Sequence, residues 1–371
     1  MRNLKDINWE ELLSGIQNPG RYTGSEYNGY RKGEKKQGFL LVFPDDYKIG
    51  MSSLGYHIVG EIVRQDPNFY VERAFAPAED MEALMREKNI ELFSLESKTP
   101  AADFDIIGFS FHYELAYTNY INMMDLAGLE PFRKDRKKSD PLIIGGGPVC
   151  VNPEILSEFM DAVIVGEAEE VLPGLLAEYS PGRDKEKFLE KISLIGGVYV
   201  PGKTESVEKA FCKTLDTKYH PVYQPVPVVD IVHNRLNIEI NRGCRHRCRF
   251  CQATNIYAPY RQRSVSQIRE LAIASVAATG FDEISLTSLS ASGHPELCSI
   301  LDELHFSLRD LGVSAVLSSM RPETFSPAVA GRLKRLKSGG LTFAPETSSA
   351  RMKKVIGKNV KNEEIIKVVS K

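Results

Sequence analysis

The apolar positions of this chain fall into two long stretches with a regular rhythm, and a third stretch without one lies between them. From Gly38 onward, short apolar runs alternate with amphipathic segments. Phe39-Leu40-Leu41-Val42-Phe43, a run near 70–75, Ile106-Ile107-Gly108-Phe109-Ser110-Phe111, Leu142-Ile143-Ile144 and Ala162-Val163-Ile164-Val165 are continuous enough to be strands buried on both faces. Helical spacing marks 53–65, 80–88, 117–126, 152–159 and 167–179. Asn152 would cap the fourth of these and Pro153 would fill its first turn. His57 is expected on a helix surface, and the basic run Arg133 to Lys138 reads as a solvated loop. Five strand–helix alternations within 38–180 predict an α/β domain built on a doubly wound parallel sheet.

The second rhythmic stretch covers 235–371, with strands expected at 236–240, 283–289, 313–317 and 341–344. Ser264-x-x-Gln267 is a capping box opening a helix whose Ile268, Leu271, Ala272 and Val276 share one face, and Gly280 ends it. Further helices are expected at 295–311, from Ser326-Pro327 past Leu333 and Leu336, at 349–356 and at 362–369. Four such units fit the first part of a β/α barrel, whose chemistry belongs at the carboxyl ends of its strands. Residues 1–37 read as an irregular leader with a short helix from Trp9 to Leu13. Residues 181–234, rich in glycine, proline and lysine, read as a linker with short extended pieces.

Composition narrows the class of molecule. A chain of 371 residues exceeds one ordinary core, and 42% hydrophobic with 26% charged residues describes a globular protein. A net charge of −2 gives no general pull toward nucleic acid. No apolar run approaches a membrane span, and the first residues lack the apolar core of a secretion signal, so a cytoplasmic location with reduced thiols is expected. Cys150, Cys212 and Cys298 stand alone and read as buried or incidental thiols.

The other three cysteines change the picture. Cys244, Cys248 and Cys251 form a Cys-x3-Cys-x2-Cys set just past the strand at 236–240, close enough for one loop to bring three thiolates to one inorganic centre. Iron–sulfur clusters usually take four thiolates, so three leave one iron open to a substrate or cosubstrate. Zinc held by the cysteines and His246 is the alternative. Arg242, Arg245, Arg247, Arg249, Arg261 and Arg263 surround the set; they would raise a cluster's potential, contact RNA phosphates or simply be solvated. In the first domain, ligands of such sheets sit beyond the strands' carboxyl ends, where Ser110 to His112, Gly145-Gly146-Gly147-Pro148 and Gly166-Glu167 lie. Consecutive glycines there let a ligand approach the backbone.

The cysteine spacing, with aromatic Phe250 before the last cysteine, resembles the radical S-adenosylmethionine superfamily. The resemblance implies a [4Fe–4S] cluster on Cys244, Cys248 and Cys251, and S-adenosylmethionine held by the open iron. Reductive cleavage to a 5′-deoxyadenosyl radical follows, with a one-electron donor such as flavodoxin or ferredoxin and an unknown substrate, small molecule or RNA. Cosubstrate contacts would fall to Thr287, Ser288 and Ser290, which stand where the superfamily has Gly-Gly-Glu, and to Ser319 and Arg321 after the third strand. Arg321 would pair with the cosubstrate carboxylate or with Glu346. Glu346 sits in Ala344-Pro345-Glu346-Thr347-Ser348-Ser349, similar to the superfamily's Glu-Ser-Gly-Ser.

Upstream, Pro19-Gly20-Arg21-Tyr22, the Gly-Gly-Gly-Pro loop and Val165-Gly166-Glu167-Ala168-Glu169 are similar to the members that carry a cobalamin-binding domain. That likeness implies a flavodoxin-like sheet of the cobalamin-binding type, with a corrin near Gly145, Gly146, Gly147, Gly166 and Glu167. The Asp-x-His-x-x-Gly cobalt-ligand motif is absent; Asp46-Tyr47-Lys48-Ile49-Gly50 stands in its place, and His112 is the better-placed histidine. A corrin- or nucleotide-binding module with an inactive barrel, and an RNA-binding or RNA-modifying protein, are the alternatives. RNA methylthiotransferases carry additional N-terminal cysteines, and no cysteine precedes Cys150 here. Superfamily barrels resemble six units, so four imply a chain cut within a partial radical S-adenosylmethionine barrel.

Overall fold

A computed structural model describes residues 4–182, 184–336, 340–358 and 360–370. The chain forms two compact units, Met1–Cys212 with Gln224–Asn234, and Lys213–Tyr223 with Arg235–Lys371.

The first unit opens with α1 (Trp9–Leu13), β1 (Gln37–Phe43), α2 (Tyr47–Gly50), α3 (Leu54–Gln65) and β2 (Phe69–Phe75). It continues with α4 (Glu79–Lys88), β3 (Ile106–Ser110), α5 (Ala116–Leu126), β4 (Leu142–Gly146), β5 (Ala162–Ile164), α6 (Ala168–Glu178), α7 (Lys185–Ile192) and β6 (Val198–Tyr199). The strands form one sheet in the order β2-β1-β3-β4-β5-β6, parallel except for antiparallel β6. This is the doubly wound, flavodoxin-like order expected, with its switch point between β1 and β3. Burial on both faces explains why most of these strands read as apolar runs: every residue of β2 and β3 is buried, Glu72 and Arg73 included. The leader is part of this core, since Leu4, Ile7, Leu13, Ile16 and Tyr22 pack with Leu40, Val42, Ile107 and Phe109; its residues 1–3 lie outside the described residues.

Several expectations for this unit are corrected. The linker reading of 181–234 fails because α7, capped by the Asp184 side chain, and β6 both lie inside it. Phe188, Leu189, Ile192, Val198 and Val200 are buried there, an apolar face hidden among lysines and glycines. The helix expected at 152–159 is only a 3-10 turn, Pro153–Leu156, because the Asn152 side chain makes no cap bond. Arg136, expected in solvent, has a buried side chain that ion-pairs with Asp161 at 3.1 Å and donates to Phe159 O at 2.8 Å. His57, expected on a surface, is 2% exposed, with Nε2 2.9 Å from Met51 O.

The second unit contains β7 (Leu236–Glu239), β8 (Asn241–Arg242), α8 (Ala253–Ile256), β9 (Arg261–Gln262), α9 (Val265–Thr279) and β10 (Glu283–Thr287). α10 (Leu297–Leu308), β11 (Ser314–Leu317), α11 (Pro327–Arg335), α12 (Ala350–Ile356) and α13 (Asn362–Val369) complete it. Its sheet is parallel, in the order β11-β10-β7. Leu236, Ile238, Ile284, Leu286, Ala315 and Leu317 from the strands pack with Ile268, Leu271, Ala272, Ile300, Leu304, Val329 and Leu333 from the helices. Both halves of the Ser264–Gln267 capping box form, and Gly280 closes α9 at φ +75. The fourth strand expected at 341–344 is reduced to one parallel bridge, Met320 to Phe343. Pro345 offers no N–H to extend the ladder, and Leu341 is exposed.

Candidate active site

The cysteine loop leaves the carboxyl end of β7, whose register against β10 places Glu239 beside Thr287. Antiparallel pairing of β8 with β9 then pinches the loop at its base, so residues 243–260 are a closed excursion. Gly243, at φ +81, passes so near the far side of the loop that an added Cβ would lie 2.7 Å from both Tyr257 O and Pro259 O. Only glycine fits there.

Three of the six arginines act as internal struts. Arg242 donates twice to the Glu239 carboxylate, at 2.9 and 3.0 Å. Arg261 donates to Pro259 O at 2.9 Å and Tyr257 O at 3.2 Å. Arg263 donates to Glu239 O, Leu215 O and Asp216 O at 3.0, 3.1 and 2.8 Å. A guanidinium's several donors satisfy loop carbonyls that no ladder reaches. Of the three readings open for the arginines, a charge beside a cluster, an RNA phosphate contact or a solvated side chain, solvation does not hold for these three, whose donors are spent inside the unit. Arg245 lies over the Tyr260 ring at 4.3 Å. Arg249 donates its side chain to Lys354 O and Val355 O, and its N–H to Ile356 O at 2.8 Å, tying the loop to the end of α12.

Cys244, Cys248 and Cys251 are free, partly exposed thiols. The Cys251 N–H donates to Cys248 O at 3.0 Å, and the His246 N–H reaches Cys244 Sγ at 3.4 Å. Burial raises the Cys244 pKa, and the other two thiols push it further up; the His246 N–H and the Arg321 charge oppose them. Cys244 thus feels both other sulfurs, and Arg321 is near enough to favour its thiolate. Among the described residues, the trio of ligand atoms drawn within 4.8 Å of one another is Glu167, Glu169 and Cys212, in the first unit. Three thiolates on one loop would leave one iron of a cubane without a protein ligand. His246 is held below its ordinary pKa by burial and by Arg321.

The residues expected to contact a cosubstrate lie beyond the ends of β10 and β11, with Glu346 further along the chain. Ser288 Oγ bonds to Asn241 Oδ1 and accepts the Ser290 N–H at 2.9 Å. Ser290 is 7% exposed, and its Oγ has no hydrogen-bond partner among the described residues. The Ser319 carbonyl accepts the Ala291 N–H at 2.8 Å. Arg321 pairs with Glu323, and Glu346 pairs with Lys358 at 2.8 Å, so the expected Arg321–Glu346 pairing gives way to these two.

In the first unit most of the glycines have a local explanation. At Gly147, φ +117, an added Cβ would lie 2.3 Å from Phe111 O; at Gly166, φ +114, it would lie 2.1 Å from Ala210 O. A Cβ on Gly145 would press on Met160 at 3.3 Å, whereas one on Gly146 would make only ordinary contact with Ile164 at 3.7 Å, so Gly146 has no such local reason. The Glu167 carboxylate accepts the Cys212 N–H at 2.8 Å. His112 packs at a tilt against Phe43, with ring centroids 5.0 Å apart, and its Nε2 lies 3.4 Å from Ser53 Oγ; burial lowers its pKa to about 4. Sequence reading missed the buried charge on β2. Arg73 is fully buried between Glu26 at 2.9 Å and Glu96 at 2.6 Å, and Tyr47 donates to Glu26 at 2.7 Å. The signal was a lone Glu72-Arg73 pair inside an apolar run.

Comparison with known proteins agrees with this geometry. Residues 55–201 match the family description "Radical SAM proteins, N-terminal", and residues 238–371 match "Radical SAM superfamily". An uncharacterised protein of Methanocaldococcus jannaschii is 27% identical over 89% of this chain and 65% of its own length. Bacteriochlorophyllide d C-8(2)-methyltransferase of Chlorobaculum tepidum is 24% identical over 42% of this chain and 33% of its own. The methyltransferase TsrM of Kitasatospora setae, solved with cobalamin and a [4Fe–4S] cluster, superposes with a TM-score of 0.59 at 17% identity, over 90% of this chain and 64% of that one. OxsB, a cobalamin-dependent radical enzyme solved with aqua-cobalamin and S-adenosylmethionine, gives 0.59 at 17% over 90% and 47%. The chain spans about two thirds or less of the length of these proteins. No described helix is long and apolar enough to cross a membrane. With a three-cysteine loop on the first strand of a parallel β/α unit, downstream in sequence of a flavodoxin-like sheet, the chain belongs to the radical S-adenosylmethionine superfamily.

Proposed function

We propose that this chain forms the cofactor-binding part of a cobalamin-dependent radical S-adenosylmethionine enzyme that transfers a methyl group. The observation that carries the reading is the cysteine loop, pinched by the β8–β9 ribbon and the Gly243 crossing at the carboxyl end of β7. Cys244, Cys248 and Cys251 would hold a [4Fe–4S] cluster. When bound, such a cluster supplies the open iron site for S-adenosylmethionine and the electron for its reductive cleavage. The chain's own groups orient the cosubstrate. Ser290, with its unpartnered hydroxyl, and Ser288 offer hydrogen bonds at the end of β10, and Ser319 follows β11. Arg321 offers charge to a carboxylate once Glu323 yields it, and Glu346, balanced by Lys358, can accept from a ribose or amino group. A corrin would lie at the carboxyl edge of the first sheet, near Gly145, Gly146, Gly147, Gly166 and Glu167. His57 is committed to Met51 O, and His112 is packed on Phe43, which supports a corrin without a histidine from this unit.

The similarity to named methyltransferases supports the reaction class. The substrate, small molecule or RNA, is left open by the residues present. Anaerobic reconstitution with iron and sulfide tests the reading: the parent chain should take up a coloured four-iron centre, and Cys248→Ala should lose it. A colourless protein holding zinc would overturn it. Corrin retention without any 5′-deoxyadenosine formed under reducing conditions would point instead to a binding module with an inactive barrel.

A further inference from the structure

The cysteine loop and the end of β10 are joined by a run of side-chain hydrogen bonds whose members all belong to the second unit. The β8–β9 ribbon sets Asn241 opposite Gln262, and the Ile240 N–H donates to Thr287 O at 3.1 Å, so the Asn241 side chain reaches Ser288. Arg245, between the first two cysteines, lies over the Tyr260 ring and donates to Gln262 Oε1 at 3.4 Å. Tyr260 Oη donates to the same oxygen at 3.2 Å and accepts from Asn241 Nδ2 at 3.3 Å. Asn241 Oδ1 accepts the Ser288 hydroxyl, and Ser288 Oγ accepts the Ser290 N–H at 2.9 Å.

The run has one direction. A guanidinium has donors only, so the Gln262 atom facing Arg245 is its carbonyl oxygen. That oxygen also takes the Tyr260 proton, which leaves the Tyr260 oxygen to accept from the amide nitrogen of Asn241. The Asn241 amide is thereby turned with its oxygen toward Ser288. Asn241 is 2% exposed, so water does not compete for that amide. The Ser288 proton is committed to Asn241, and its partly exposed oxygen keeps a lone pair that no further donor meets among the described residues. Two residues on, the buried Ser290 Oγ has no partner among them, the state of a group that awaits a ligand.

We infer that Asn241 is a positioning residue that makes Ser288 a fixed hydrogen-bond acceptor for the amino group of the cosubstrate. The inference rests on the S-adenosylmethionine reading above. An amino group whose lone pair is engaged by a proton or a metal can only donate, and a serine free to rotate meets it in either role. Fixing that rotor gives a neutral oxygen the one-sided acceptor character of a carboxylate. Arg245 sets the direction from within the cysteine loop, so the loop and the acceptor are built as one piece.

The test uses the full chain, reconstituted anaerobically with iron and sulfide. Calorimetry gives its affinity for S-adenosylmethionine and for an analogue with hydrogen in place of the α-amino group. The parent should prefer S-adenosylmethionine, and Asn241→Leu should lose that preference roughly tenfold while its affinity for the analogue stays as it was. Asn241→Asp, whose carboxylate only accepts, should retain the preference. Tyr260→Phe, which frees the amide to flip, should lose part of it, and it decides alone if Asn241→Leu takes up no iron. Iron content and the visible spectrum of each variant show whether the cluster is in place. A parental preference in Asn241→Leu overturns the inference. So does equal weakening toward both ligands, which would make Asn241 part of the loop scaffold only. A failure of the reading beneath it looks different: the parent chain would then bind neither ligand.

Discussion

At the scale of single residues, the three cysteines were the most legible feature, because their chemistry depends on spacing along one loop. The arginines around them were not, because a guanidinium reaches several residues in any direction. Whether Arg263 meets a phosphate or Leu215 O depends on where residue 215 lies, which no local pattern records. The residue on which the loop turns is Gly243. Gly243→Ala would force a Cβ against two carbonyl oxygens at φ +81, at a cost of about 1–3 kcal/mol. Iron content after reconstitution should fall sharply in that variant. The temperature at which the first unit unfolds should not move.

Histidine burial gives a pH dependence with a definite sign. Burial depresses His57 to about 4 and His220 to about 3; at His220 the Arg263 charge adds to the effect. The unfolded chain titrates near 6.5, so between these values it binds more protons than the folded chain does. Stability is therefore full above about pH 6.5 and is lost as pH falls through the folded values, by at most about 1.4 kcal/mol per pH unit for each histidine. Denaturant midpoints measured from pH 7 to 4.5 should decline. His57→Gln, which retains a donor for Met51 O, should flatten part of that decline.

At the scale of elements, strands buried on both faces were read well and marginal ones poorly. β1 from Phe39 to Phe43 and β3 from Ile106 to Phe109 have no polar side chain and need no context. β6 is two residues long, and it is a strand only because β5 offers it an edge. The segment 341–344 has the composition of a strand and forms one bridge, since composition does not supply a neighbour. α7 was hidden because Lys185, Lys187 and Lys191 mask its buried face of Phe188, Leu189 and Ile192. α9 was legible from its cap, its apolar face and the glycine that ends it, and the cap is testable. Ser264→Ala removes the acceptor for the Gln267 N–H and should lower stability by about 1 kcal/mol in denaturant unfolding. Ser264→Asp should retain most of it.

At the scale of the whole molecule, two α/β units were legible from the alternation of elements, but their limits were not. The first unit needs both ends of its sequence. Glu26 from the leader neutralises Arg73 in the middle of the sheet, and α7 with β6 covers the edge at β5. A fragment of residues 38–179 would bury Arg73 with one partner fewer, and losing one partner of a buried pair costs about 3–5 kcal/mol. It would also leave β5 as an open edge. That fragment should aggregate or remain unfolded by gel filtration and circular dichroism, whereas residues 1–234 should unfold cooperatively. Corrin binding is therefore better assayed on the longer piece.

The path of the chain between its units carries one more consequence. The polypeptide leaves the first unit at Lys213, returns at Gln224 and leaves again at Arg235. A gene fusion or recombination event joining the halves of two relatives at any one point in this stretch would strand a segment with the wrong host. A junction after 212 would part 224–234 from Lys48 and Ser52, which it bonds; a junction after 234 would part Leu215 and Asp216 from Arg263. Exchange of either half as a cassette is penalised, so the two units should be inherited as one block, and chimaeras built for enzyme engineering should take both halves from one parent.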